Sequence, residues 1–193
     1  MRAVCVYCGS REGKRKEYTE AALALAAELV KCKMSLVYGG GRVGLMGIIA
    51  DEVMRLGGEV VGIIPEALMR KEVGHSGLTE LHVVPNMHER KKMMADRSDG
   101  FISMPGGIGT YEELFETFTW LQLGYHSKPV GLLNVQNFYD PLLHFLRHAI
   151  DEGFLQASQA ASLSVADAPA DLLDIMEYTP HKPDLWPEQR SRV

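Results

Sequence analysis

The sequence predicts an α/β fold, a doubly wound, Rossmann-like parallel sheet with helices on both faces. Three observations predict it. Short β-rich runs alternate with longer helical patterns along nearly the whole chain, which is the signature of βαβ units. Three of those runs end in glycine-bearing turns, at Gly9-Ser10, Gly39 to Gly44 and Pro105 to Thr110. Sheets of this kind bind ligands beyond the carboxyl ends of their strands, where such turns lie. The length, 193 residues, suits one compact domain.

In order, Ala3 to Cys8 reads as a strand and Glu17 to Cys32 as an Ala/Leu-rich helix. Ser35 to Tyr38 is a second strand, and after its glycines a helix runs from about Gly44 to Leu56. Glu59 to Ile64 is a third strand, ended by Pro65 and followed by a polar loop through Arg70, Lys71 and Glu72. Leu81 to Val84 leads to a helix over Met87 to Arg97, and Phe101 to Met104 to one over Tyr111 to Leu123. Pro129 to Leu133 precedes a helix over Tyr139 to Glu152. A last strand, Leu163 to Val165, precedes a helix near Ala170 to Tyr178. Residues 1–179 are expected to form a single Rossmann-like domain and residues 180–193 an irregular, proline-punctuated tail.

Lys and Arg number 20 against 25 Asp and Glu, a formal net charge of −5. That balance argues against a nucleic-acid polymer or an anionic membrane as partner, while leaving room for a local anion pocket. The start, MRAVCVYCGS, has no signal-peptide pattern, and no apolar run approaches the ~20 residues of a membrane span, so the cytoplasm is the expected compartment. Cys5 and Cys8 lie in a strand-like run, where residues three apart point to opposite faces. They are expected to be two buried thiols. His144 and His148 share a helical face but lack a third ligand, so no metal is expected.

Of the three turns, Pro105-Gly106-Gly107-Ile108-Gly109-Thr110 combines a strand end, flexible glycines and a helix start. Its free N–H groups suit a phosphate. Thr110 and Glu113 also spell a capping box, which would satisfy helix donors without any catalysis. Against that, Glu112 and Glu113 sit beside the phosphate site, where a carboxylate can stabilise a ribosyl cation or activate water, as paired acids do in sugar chemistry. The second constellation is Met87 to Met94. Asn86 is a good N-cap with Glu89 as its partner. Met87, Arg90, Met94 and Arg97 share one helix face, so Arg90 stands in an otherwise core-facing stripe and needs an acid or a bound anion. Lys92 suits a solvated face.

A dinucleotide reading competes. Gly39-x-Gly41-x-x-Gly44 matches G-x-G-x-x-G, and Glu66 stands roughly where the ribose-binding acid falls. Against it, the motif follows the second strand rather than the first, and Pro65 turns the chain just before Glu66. A nucleotide sensor without turnover is a third possibility. Gly9, Ser10, Gly40 and Gly41 are retained as possible additional phosphate or nucleotide loops.

The segments Met87-x-x-Arg90-Lys91 and Pro105-Gly106-Gly107-x-Gly109-Thr110-x-x-Glu113 resemble the paired signatures of the LOG ("Lonely Guy") family. The resemblance extends through CVYCGS, LVYGGGRVGLMG, GIIPEALM and TWLQLGYHSKPVGLLN. Members are cytokinin riboside 5′-monophosphate phosphoribohydrolases, often mislabelled lysine decarboxylases. The resemblance implies cleavage of the N-glycosidic bond of cytokinin nucleotides or AMP, with no cofactor. It implies Arg90 and Glu113 as the catalytic pair and Glu72 and Lys91 as substrate contacts. It makes the run Gly107, Ile108, Gly109, Thr110, Tyr111, Glu112 and Glu113 the substrate-binding segment, and it implies a homodimer. Two positions depart from the family: Arg11 stands where a serine is common, and Glu66 where a lysine is common. No lysine can be assigned as a Schiff-base partner for pyridoxal phosphate.

Overall fold

The computed structural model describes residues 1–72 and 74–178, with backbone only for residues 70–72. Seven parallel strands among them form one sheet: β1 (Ala3–Tyr7), β2 (Ser35–Tyr38), β3 (Val60–Pro65), β4 (Glu80–Val84), β5 (Gly100–Ser103), β6 (Val130–Leu133) and β7 (Leu163–Ala166). Their spatial order is β4-β3-β2-β1-β5-β6-β7, so the winding reverses between β1 and β5. The crevice at such a reversal is where open α/β sheets bind ligands. β2, β1 and β5, the strands that carry the three glycine turns, are neighbours in it.

The helices are α1 (Lys16–Lys31), α2 (Gly44–Arg55), α3 (Glu66–Glu72), α4 (Met87–Asp96), α5 (Ile108–Gln122), α6 (Asp140–Asp151), α7 (Ala157–Ala160) and α8 (Pro169–Tyr178). The sheet separates two apolar cores. Val4 and Val6 of β1 face Leu25, Leu29, Ile49 and Leu172 from α1, α2 and α8. Cys5 and Tyr7 face Met94, Leu114, Phe118 and Leu146 from α4, α5 and α6. The strand period of two thus fixes both layers at once. It also puts Cys5 and Cys8 in opposite cores as buried free thiols, and burial pushes both pKa values up. Among the described residues no helix is long and apolar enough to cross a membrane.

Four expectations need correction. Residues 66–72 form α3 rather than a loop, because Pro65 ends the ladder with a φ that already suits a helix entry. Glu72 is therefore the last residue of a helix, and its side chain lies outside the described residues. α5 starts at Ile108, three residues earlier than expected, with Gly107 as an extended N-cap that uses no side chain. The fourth concerns the α4 stripe. Arg90 and Met94 are buried, but Met87 and Arg97 lie at the helix ends and are exposed. α7 was not anticipated, and the tail 180–193 lies outside the described residues.

Candidate functional site

The three glycine turns are stitched together by main chain. Gly9 N–H donates to the Pro105 carbonyl (3.1 Å) and Leu45 N–H to the Gly9 carbonyl (3.0 Å). A Cβ on Gly44 would stand 2.3 Å from the Ser10 carbonyl carbon, so only glycine lets the second turn close on the first. Beneath the third turn, Tyr139 O–H donates to the Met104 carbonyl at 2.6 Å, while Asn134 Oδ1 accepts from Tyr139 N–H at 2.7 Å. Nothing in the local sequence marks Tyr139 as a support, since its hydroxyl acts across the tertiary fold, and Asn134 serves the site only by holding Tyr139.

The start of α5 is open. Its first helical bond runs from Tyr111 N–H to the Gly107 carbonyl (3.1 Å), which leaves the N–H groups of residues 108–110 ahead of the ladder. Gly107, Ile108 and Gly109 are exposed, while Thr110 is buried and Tyr111 half-buried. A Cβ on Gly107 or Gly109 would meet nothing within 4 Å, so the protein itself gives no packing reason for either glycine. Ile108 projects at 82% exposure.

Thr110 and Glu113 do not form the capping box that their spacing allowed as one reading. With Gly107 at the N-cap, Glu113 falls in the second turn and points inward. It meets Arg90, whose Nη1 donates to Glu113 Oε1 at 2.7 Å in a nearly buried ion pair. Arg90 Nε also donates to the Ile63 carbonyl within β3 (3.2 Å). Gly39 gives the guanidinium its seat, because a Cβ there would come within 2.0 Å of Nη2. The acid that the buried arginine required is therefore supplied by the other motif helix. Burial pushes the Glu113 carboxyl pKa above the ordinary carboxylate value, and the Arg90 charge and hydrogen bond oppose the rise.

A second tie lies one residue along. Lys91 Nζ donates to Glu112 Oε1 (2.6 Å) and Glu116 Oε1 (2.9 Å). Its burial works to lower its pKa, but the two carboxylates outweigh that and raise it. Asn86 caps α4 as expected, accepting from Glu89 N–H at 3.0 Å. Lys92 is solvated.

The turn after β2 is largely occupied by the protein. Gly39 seats Arg90, Gly40 accepts from His75 N–H (3.1 Å), Gly41 forms an antiparallel bridge with Gly74, and Gly44 meets Ser10 and Arg11. Glu66 is exposed in the first turn of α3, where an acid complements the helix dipole. Gly9 is buried and Ser10 exposed along a crevice of about 530 Å³ between the β1 and β5 turns. His144 and His148 are exposed, and no cluster able to hold a metal occurs among the described residues.

The chain is similar to known proteins over most of its length. The family model described as "possible lysine decarboxylase" matches residues 46–176. The cytokinin riboside 5′-monophosphate phosphoribohydrolase LOG5 of Arabidopsis thaliana is 53% identical over 159 residues, 82% of this chain and 70% of that protein. The probable cytokinin riboside 5′-monophosphate phosphoribohydrolase LOGL9 of Oryza sativa subsp. japonica is 51% identical over 181 residues, 93% and 80% of the respective chains. The X-ray structure of TM1055, a structural genomics target, superposes with a TM-score of 0.70 at 24% identity, covering 93% of this chain and all of that one. With both signature segments joined in one buried ion pair and relatives at this identity, the chain belongs to the LOG family of cytokinin riboside 5′-monophosphate phosphoribohydrolases.

Proposed function

We propose that this chain hydrolyses the N-glycosidic bond of nucleoside 5′-monophosphates, cytokinin riboside monophosphates or AMP, giving free base and ribose 5-phosphate. The observation that carries the reading is the buried Arg90–Glu113 pair, which lies one helical turn behind the open, glycine-lined start of α5. The 5′-phosphate docks on the N–H groups of the Gly107–Thr110 segment, where helix donors and the dipole favour an anion. Anchored there, the ribose lends its binding energy to the cleavage step. The C1′–N9 bond breaks through an oxocarbenium-like state. Glu113 faces the developing positive charge and takes a proton from the water that bonds to C1′, while the base leaves with the glycosidic electron pair and takes a proton from solvent, to which Glu113 then returns its own. Arg90 orients Glu113 and the ribose hydroxyls. Lys91 and Glu112 fix the spacing of α4 and α5 around the substrate. Glu72 and Tyr111 contribute substrate contacts, and Ile108 covers the anchored phosphate.

A decarboxylase working through pyridoxal phosphate fits this site poorly. Such an enzyme needs a lysine that readily becomes a neutral amine, whereas Lys91 is held protonated by two carboxylates. A dinucleotide fits poorly at Gly39 to Gly44, because Arg90, His75, Gly74 and the Ser10–Arg11 backbone already use the close approach those glycines offer.

Residues 1–179 act as one nucleotide-hydrolase domain in the cytoplasm. The chain works as a homodimer, with the exposed apolar residues Phe115, in the middle of α5, and Leu123 and Tyr125, just past its C-terminal end, as candidates for the interface. The test is incubation with a panel of nucleosides and nucleotides, followed by chromatography. Release of base that requires the 5′-phosphate supports the reading; binding without release from any member favours a sensor.

A further inference from the structure

A nucleoside monophosphate brings a dianion to the start of α5, and the basic side chains of the motif helix are already matched by acids. Arg90 is held by Glu113, and Lys91 by Glu112 and Glu116. On the other side of Gly106 and Gly107 lies the crevice of about 530 Å³, walled by Tyr18, Phe138 and Ile108. Arg11 is the basic side chain that lines it. It is exposed, and among the described residues it forms no ion pair, even with neighbouring Glu12.

The backbone beneath Arg11 is fixed. The Gly9 N–H bond to Pro105 and the Leu45 N–H bond to Gly9 hold the turn from both sides. Gly44 closes on it so tightly that a Cβ would stand 2.4 Å from Arg11 N. A mobile cation would lose much of its gain to ordering, whereas one rising from a fixed stretch of backbone loses less. A guanidinium also presents paired donors that match two phosphate oxygens at once.

We infer that Arg11 is a specificity-determining residue, reaching across the crevice to the outward oxygens of the substrate's 5′-phosphate while the start of α5 holds the inward ones. The inference rests on the phosphate placement proposed above. It makes this chain depend more strongly on the phosphate dianion than a serine at this position would.

The test measures binding of ribose 5-phosphate to the full chain by calorimetry, alongside steady-state kinetics with AMP. Arg11→Ala is expected to weaken ribose 5-phosphate binding about tenfold, as loss of one partly exposed charge-assisted contact does, with Arg11→Lys intermediate. KM for AMP rises by a similar factor while kcat changes little. Arg42→Ala, an exposed arginine on the neighbouring turn that does not line the crevice, serves as the control and keeps wild-type affinity. Unchanged binding in Arg11→Ala overturns the inference, as does an equal loss in Arg42→Ala or no binding by the wild type. If no nucleotide releases base but ribose 5-phosphate binding still depends on Arg11, the hydrolase reading fails and this inference stands.

Discussion

Glu113 is buried beside a single arginine in a setting that raises its pKa, and its proposed role requires the ionised form. The sign follows directly. Activity is present above the folded-state pKa and is lost as pH falls through it, so the acid limb of kcat/KM should lie above the ordinary carboxylate value of 4.5. A limb at or below 4.5 would contradict the role. Glu113→Gln should cut base release from AMP by ~10²-fold or more, with folding retained. Gly109 offers a test of the opposite kind. Its missing side chain faces open space within a helix, so Gly109→Ala should leave Tm unchanged or raise stability by up to ~1 kcal/mol. The same methyl group should intrude on the phosphate and raise KM for AMP, whereas a gain in stability with normal kinetics would remove the phosphate from this turn. At this scale the sequence was partly legible. The chemistry of the glycine turn could be read locally, because donors and flexibility are local properties. The fate of Glu113 could not, because a cap and a buried ion-pair partner share the same spacing and differ only in where the helix begins.

α4 and α5 are joined by three ion pairs of different burial, Arg90–Glu113, Lys91–Glu112 and Lys91–Glu116. Removing one partner of the more buried pair strands a charge, so Arg90→Ala should cost about 3–5 kcal/mol, read by denaturant unfolding. Replacing both members with apolar residues of similar size, Arg90→Met with Glu113→Met, should be neutral or stabilising by ~1–4 kcal/mol while abolishing hydrolysis. A double variant as unstable as Arg90→Ala would mean that the pair holds the helices together rather than serving the reaction. Element types were legible throughout the sheet because hydrophobic runs and helical stretches alternate cleanly. Element ends were less so. The extended Gly107 N-cap placed α5 earlier than Thr110 suggested, and Pro65 admitted a helix where a loop was expected. The seat for Arg90 at Gly39 was invisible, since it comes from a different strand turn and only the folded chain brings it near.

For the whole molecule, the proposed homodimer predicts sedimentation at twice the chain mass, with Phe115→Asp shifting the population to monomer. A wild-type monomer that still hydrolyses AMP would separate catalysis from assembly. The site itself spans β2, β1 and β5, and its frame consists of main-chain hydrogen bonds and glycine contacts between turns. Loops usually accept changes of length, because little depends on their backbone position. These three turns should behave otherwise. One inserted residue in any of them shifts the partners of the other two, much as a register slip disrupts a sheet. Exchange of exposed side chains such as Ser10 or Ile108 leaves that frame untouched, so new substrate preferences can arise here by substitution but not by insertion.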